Sequence, residues 1–171
     1  MHLTDIEDFL FEIINIAKGK VAALKPQVAF FEEWGPEGLS LLSKISNFGK
    51  DLDLPIIMDA KRGDIGSTSE AYANAWLGDN SHFYADALTV NPWMGLETID
   101  PFINIAKKKG NGVFILLKTS NPGSKDIQNI EVNNEIFYRY ENSYLPNKLE
   151  ELGVVDGDTI MLGNLEFEYK K

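Results

Sequence analysis

Cysteine is missing altogether from the 171 residues, and arginine nearly so, with only Arg62 and Arg139. Without cysteine there is no disulfide, no thiolate metal site and no thiol nucleophile. Basic charge is scarce as well. Sixteen Lys and Arg stand against 26 Asp and Glu, a formal net charge of −10, which argues against a nucleic-acid surface. No apolar run approaches the ~20 residues of a membrane span, so no membrane association is expected. No Gly-x-Gly-x-x-Gly and no Walker loop occurs, so a dinucleotide or P-loop nucleotide site is not expected either. The start, MHLTDIED, is acidic and lacks the basic region of a signal peptide. A cytoplasmic enzyme is the expected class.

What is present is globular in character. An apolar fraction of 44% with 11% aromatics is too high for a disordered chain. The length suffices for one domain with a sizeable core plus a small appendage.

The organisation is alternation. Ile6, Phe9, Leu10, Ile13, Ile14 and Ala17 recur at helical spacing, which predicts a helix over 5–18 with Asp5 as its cap. A short buried strand is expected at 21–25. A helix opened by Pro36 follows, with Leu39, Leu41, Leu42 and Ile45 inward. Strands are expected at 54–58, 85–90 and 113–117, and helices at 67–77 and 97–108, the latter ended by Gly110. Apolar strands alternating with helices imply a parallel sheet covered by helices, an α/β fold. Polar groups collect where each strand ends, at Lys25-Pro26-Gln27, 59–64, Asn91 and 118–121. The C-terminal strand ends carry the active sites of β/α barrels, so a barrel segment fits better than an open doubly wound sheet.

The most telling stretch is Asp59-Ala60-Lys61-Arg62-Gly63-Asp64. Residues two apart on a strand share a face, so Asp59 and Lys61 belong together, with Asp64 on a loop that Gly63 lets turn. Unpaired charge is expensive to bury, and three charges at a strand end read as a chemical site rather than a solvated loop. The blander alternatives are a snorkelling Lys25, a simple turn at 120–123, and a Schiff-base role or an ion pair for Lys118. His2 and His82 have no partner motif and are expected at the surface. Phe30, Phe31 and Trp34 suggest core or dimer packing, and Glu7, Asp8 and Glu12 a solvated helix face.

Residues 1–132 resemble orotidine 5′-phosphate decarboxylase of the longer bacterial type. The motifs are Ala23-Leu24-Lys25-Pro26-Gln27 with Ala29-Phe30-Phe31-Glu32, then DAKRGDIGST at 59–68, Thr89-Val90-Asn91-Pro92, and Leu117-Lys118-Thr119-Ser120-Asn121-Pro122-Gly123. Trp93 departs from the family's usual tyrosine. The resemblance implies a homodimeric β/α barrel that converts orotidine monophosphate to UMP and CO2 without metal or cofactor. It makes Lys61 the proton donor to pyrimidine C6 and places Asp59 beside the scissile carboxylate. Asp64 would act across the dimer interface, and Lys25 would complete the charged array and touch the ribose. Ser120 would bond the pyrimidine, with Thr68, Asn91 and Thr119 as further substrate-binding candidates. A cation at C6 stabilises the carbanion as it develops, and flanking aspartates keep the lysine charged.

The resemblance covers only about strands two to five of eight. Nothing before Val21 supplies the family's first-strand aspartate, and the phosphate-gripping arginine has no counterpart. The implied activity is therefore impaired; the alternative is an inactive fusion fragment serving as an oligomerisation or interaction module. Residues 133–171 look different. Phe137-Tyr138-Arg139-Tyr140, Asp156-Gly157-Asp158-Thr159-Ile160 and Leu165-Glu166-Phe167-Glu168-Tyr169 resemble the extreme C-terminal domain of Obg-type GTPases, with a helix at 145–152, a turn at 153–158 and a hairpin over 159–169. A junction between the two parts is expected within 131–137. A ribosome- or GTPase-related role through this tail is the weakest reading.

Overall fold

A computed structural model describes residues 2–132, 135–136, 159–162 and 165–168. Three strands, β1 (Ile57–Arg62), β2 (Ala87–Val90) and β3 (Gly112–Ile115), lie parallel in that order. Two parallel bridges, Leu24 to Ile56 and Gln27 to Asp59, add the 24–27 segment along β1 as an incipient fourth strand. Helices α2 (Val28–Glu32) and α3 (Gly35–Asp51) lead from that segment to β1. Helix α4 (Gly66–Leu77) leads to β2, and α5 (Asp100–Lys109) to β3. This is a partial β/α barrel, as the alternation implies.

The apolar residues of the strands and of the inner helix faces meet in one core. Ile56, Met58, Leu88 and Val90 from the sheet, Leu41 and Leu42 from α3, Leu77 from α4 and Phe102 from α5 are all buried within it. Helix α1 (Leu3–Ala17) packs Ile14 into the core with Leu3, Ile6 and Leu10 against it, while Phe9 and Ile13 stay exposed. Its cap differs from expectation. His2 is the N-cap, and Asp5 accepts a hydrogen bond from the His2 backbone N–H at 3.0 Å, which satisfies a donor at the helix start. Glu7 is ion-paired with Lys44 of α3 at 2.7 Å, not merely solvated.

Two strand expectations shift. The strand expected at 21–25 lies at 24–27: Leu24 exchanges two 2.8 Å hydrogen bonds with Pro55 and Ile57, and Pro26 accepts from Asp59 N–H at 3.1 Å. Pro26 has no N–H of its own, which limits the ladder to isolated bridges. The strand expected at 54–58 runs instead from Ile57 through the charged residues to Arg62. The apolar run marks only the start of the strand, because the chain continues along β1 through Asp59 and Lys61, whose charges neutralise each other. Helix α2 and α6 (Lys125–Gln128) are too short to show a period in the sequence. The helix expected at 97–108 begins as a 3-10 turn, Leu96–Ile99, and Gly110, at φ 73°, ends it.

Farther along, β4 (Glu131–Val132) pairs antiparallel with β5 (Glu135–Ile136), and β6 (Thr159–Leu162) with β7 (Leu165–Glu168) in the hairpin register the sequence suggests. β6 approaches β3 without joining its sheet. The helix expected at 145–152 and the turn at 153–158 lie outside the described residues.

Phe102 is fully buried, so Phe102→Ala is expected to lower stability by about 3–5 kcal/mol. Urea unfolding followed by circular dichroism reads this. A loss below about 1 kcal/mol would mean that α5 does not seal the core as described.

Candidate active site

The end of β1 is not regular. Ile57 and Met58 pair with Ala87 and Leu88, but the next pair is Arg62 with Val90. Four steps along β1 therefore match two along β2, and residues 59–61 bulge out of the ladder. Lys61 sits there at φ 50°, a left-handed conformation that costs a non-glycine residue roughly 1 kcal/mol. Thr89 of β2 steadies it, accepting a hydrogen bond from Lys61 N–H at 2.8 Å and donating to Asp59 Oδ1 at 3.1 Å. Bulges commonly re-aim side chains beside active sites.

The bulge brings Asp59 between two lysines. Lys25 Nζ donates to Asp59 Oδ2 at 2.7 Å, and Gln27 Nε2 to the same oxygen at 3.0 Å. Lys61 Nζ donates to Asp59 Oδ1. Asp59 is only 6% exposed, whereas the Lys25 and Lys61 side chains are 56% and 44% exposed. An acid is thus held inside by cations that remain open to solvent. Burial alone would push the Asp59 carboxyl up, but the hydrogen bonds and charges of Lys25 and Lys61 outweigh it, and the carboxyl lies below its ordinary value of 3.8.

Arg62 braces the bulge from behind. Its guanidinium pairs with Glu32 of α2 and lies 5.3 Å from the Trp76 ring and 5.8 Å from the Tyr72 ring of α4. Its carbonyl accepts from Asn91 N–H at 2.7 Å. Gly63 is needed for a different reason than turning. A Cβ there would sit 2.4 Å from the Asn91 carbonyl oxygen, so only glycine lets the β1 and β2 ends approach this closely.

The predicted site residues divide into groups. Lys25, Asp59 and Lys61 converge, while Asp64 does not join them. The Asp64 carboxylate accepts from its neighbour Ile65 N–H at 2.8 Å and forms no ion pair among the described residues. Thr68 is exposed in the first turn of α4, and Ser120 is exposed after β3. Asn91 and Thr119 share a cleft of about 300 Å³ with Trp93, Leu117 and Gln128, to which none of the charged array contributes. Thr119 is pinned to Gln128 through both its backbone N–H and its hydroxyl. Lys118 donates to Asn129. The roles of Gln27, Thr89 and Arg62 were not evident in the sequence; the signal for the first two was a polar residue at a strand end facing an acid.

Parallel strands with a buried acid clasped by two lysines at their C-terminal ends define half of a β/α barrel with its charged site. The chain belongs to the orotidine 5′-phosphate decarboxylase / HUMPS family, whose model matches residues 1–157, a stretch that continues past residue 132. It is 42% identical over 135 residues to the orotidine 5′-phosphate decarboxylase of Rhodopirellula baltica, covering 77% of this chain and 45% of the relative. To that of Deinococcus radiodurans it is 40% identical over 152 residues, covering 89% and 53%. Among solved structures, a putative orotidine 5′-phosphate decarboxylase from Streptomyces avermitilis superposes with a TM-score of 0.77 at 36% identity, over 83% of this chain and 50% of that one. Leishmania donovani OMP decarboxylase gives 0.77 at 31% identity, over 95% and 61%. The chain spans about half the length of the curated relatives it matches. Among the described residues no helix is long and apolar enough to cross a membrane.

The depressed Asp59 carboxyl has a consequence for stability. A folded-state value below the unfolded one adds stability at pH above the unfolded value and loses it as pH falls through the folded one. The urea midpoint of the wild type is therefore expected to drop more steeply below about pH 4 than that of Asp59→Asn. Parallel curves for the two proteins over that range would contradict the clasped acid.

Proposed function

We propose that the Lys25–Asp59–Lys61 array binds a pyrimidine nucleotide of the orotidine or uridine monophosphate kind, and that the chain is by descent a decarboxylase of orotidine monophosphate. The observation that carries this reading is the buried Asp59 with a lysine on each carboxylate oxygen, in a chain of that family. In the reaction the bond from C6 to the carboxylate breaks, CO2 departs, and the electron pair stays on C6. Lys61 Nζ then gives its proton to C6 and recovers one from solvent, so the step balances without a redox partner. Asp59 holds Lys61 charged until that moment and stands where the substrate carboxylate is crowded. Lys25, fixed by the other Asp59 oxygen, meets the ribose. Ser120, Thr68, Asn91 and Thr119 supply hydrogen bonds to the nucleotide.

Asp64 fits a role in a second copy's site, because it pairs with no lysine of its own chain among the described residues. Ile65, Trp93 and Met94 leave apolar surface exposed on the neighbouring loops, which suits a homodimer contact. The cytoplasm is the compartment such a biosynthetic enzyme implies. The antiparallel hairpin β6–β7 departs from the β/α series, which supports reading the residues beyond the family match at 157 as an appendage similar to the Obg C-terminal domain.

These 171 residues span about half the length of the matched relatives, and remote binding energy drives the chemical step. Their kcat/KM for orotidine monophosphate is expected to fall at least ~100-fold below that of a full-length relative; an equal value would refute the impairment. Calorimetric titration with 6-hydroxy-UMP tests the site itself. Binding by the wild type and its loss in Lys61→Ala are expected. Unaltered binding in the variant would remove Lys61 from the site. No binding by the wild type would favour the second reading, an interaction module.

A further inference from the structure

An ionised carboxylate offers about four acceptor positions, two on each oxygen, and Asp59 uses all of them. Each oxygen takes one ammonium and one neutral donor. Oδ2 receives Lys25 Nζ at 2.7 Å and Gln27 Nε2 at 3.0 Å. Oδ1 receives Lys61 Nζ and, at 3.1 Å, the Thr89 hydroxyl. That hydroxyl has a single proton to give, because its oxygen already accepts from Lys61 N–H. The competing acceptor, the Met58 carbonyl, is farther away at 3.4 Å, and a carboxylate is the stronger acceptor.

The two kinds of donor differ in what holds them. Lys25 and Lys61 reach Asp59 on long flexible stems, with their side chains about half open to solvent. Either ammonium can turn away by rotation about its own side-chain bonds. Thr89 has one short, branched and stiff rotor. It sits in the middle strand, opposite Phe114 of β3 on one side and bonded to Lys61 N–H on the other. Gln27 is longer, but its backbone is bridged directly to that of Asp59. One set of donors is charged and releasable. The other is neutral and rooted in the sheet.

We propose that Thr89 and Gln27 are positioning residues, which hold the Asp59 carboxylate in place, one on each oxygen, while a ligand draws Lys61 and Lys25 away from it. The inference rests on the reading that these lysines serve a nucleotide, and it names the groups that free them to do so. Were Lys61 to turn from Asp59 with no second donor present, Oδ1 would be a buried charged oxygen without a partner, which is costly. Thr89 stays on that oxygen and lowers the cost of releasing the ammonium. Gln27 does the same for Lys25 on Oδ2. Both act through Asp59 and need not touch the ligand.

The carboxyl-carbon NMR resonance of Asp59, followed against pH, tests this without any nucleotide. Lys61→Met stands in for the departed ammonium. In that background Thr89→Val, which keeps the branched shape and lacks the hydroxyl, is expected to raise the Asp59 midpoint by about 1 pH unit, a tenfold gain in proton affinity. Thr89→Ser is expected to leave the midpoint where threonine sets it, a distinction that a merely space-filling residue would not make. With Lys61 present, Thr89→Val is expected to raise the midpoint less, and this comparison decides if the double variant does not fold. Gln27→Leu in a Lys25→Met background is expected to act likewise. Among the described residues Lys25 and Lys61 are the charged groups bonded to Asp59, β2 carries none between Ala87 and Val90, and Arg62 and Glu32 pair with each other. A midpoint unmoved by Thr89→Val, or raised as much by Thr89→Ser, removes Thr89 from the role. An unmoved midpoint in Gln27→Leu removes Gln27. Either result refutes the donor roles alone, whereas absence of 6-hydroxy-UMP binding by the wild type refutes the reading on which they rest.

Discussion

Burying a carboxylate is the constraint on which this half barrel is organised. Asp59 lies inside the sheet's end, where an unpaired charge would cost several kcal/mol, and it is retained because both oxygens are occupied. Lys25 arrives from the neighbouring segment, Lys61 from its own strand, and Gln27 and Thr89 take the remaining acceptor positions. Each partner makes a demand on the backbone. Lys25 and Gln27 require the 24–27 segment to lie along β1, which two bridges and Pro26's carbonyl secure. Lys61 requires the bulge, and the bulge requires the Thr89 hydroxyl beneath it.

The arrangement is asymmetric in a useful way. The acid is dry and the bases are wet. Salt bridges between exposed groups contribute little to stability, but here the exposed partners leave their ammonium groups available to a ligand while the acid fixes where they stand. A site built so is oriented before anything binds, which is the condition for electrostatic stabilisation of a developing charge. Arg62 continues the same logic away from the site, tying α2 and α4 to the strand end through Glu32, Trp76 and Tyr72.

Much of this was legible in residue patterns, and what was not has physical causes. Helices α1 and α3 show themselves through apolar spacing, α4 and α5 through their place between strands, and the strands through their apolar runs. The meeting of Lys25, Asp59 and Lys61 could be expected from motif order. The extent of β1 could not, because its apolar run stops at Met58 while the strand continues through charges that cancel. Nor could the 24–27 segment be placed, since Val21-Ala22-Ala23 is apolar yet only the residues from Leu24 onward reach Pro55 and Ile57. Period-2 reasoning put Asp59 and Lys61 on one side by alternation, whereas the contact depends on a bulge that alternation does not describe. Gly63 reads in the sequence as a turning residue, whereas its part in the structure is to leave room for the Asn91 carbonyl.

Lys61 adds a tension of another kind. Its left-handed backbone suits glycine or asparagine, while its ammonium suits the acid two residues away. Chain stability and the charged array therefore pull this one codon in opposite directions. In a lineage that no longer used the array, replacement by glycine would relieve the backbone and release Asp59 from one partner at the same time. The position is thus held by a balance: the backbone would gain from glycine, while the buried Asp59 would lose one of the partners that stabilise it.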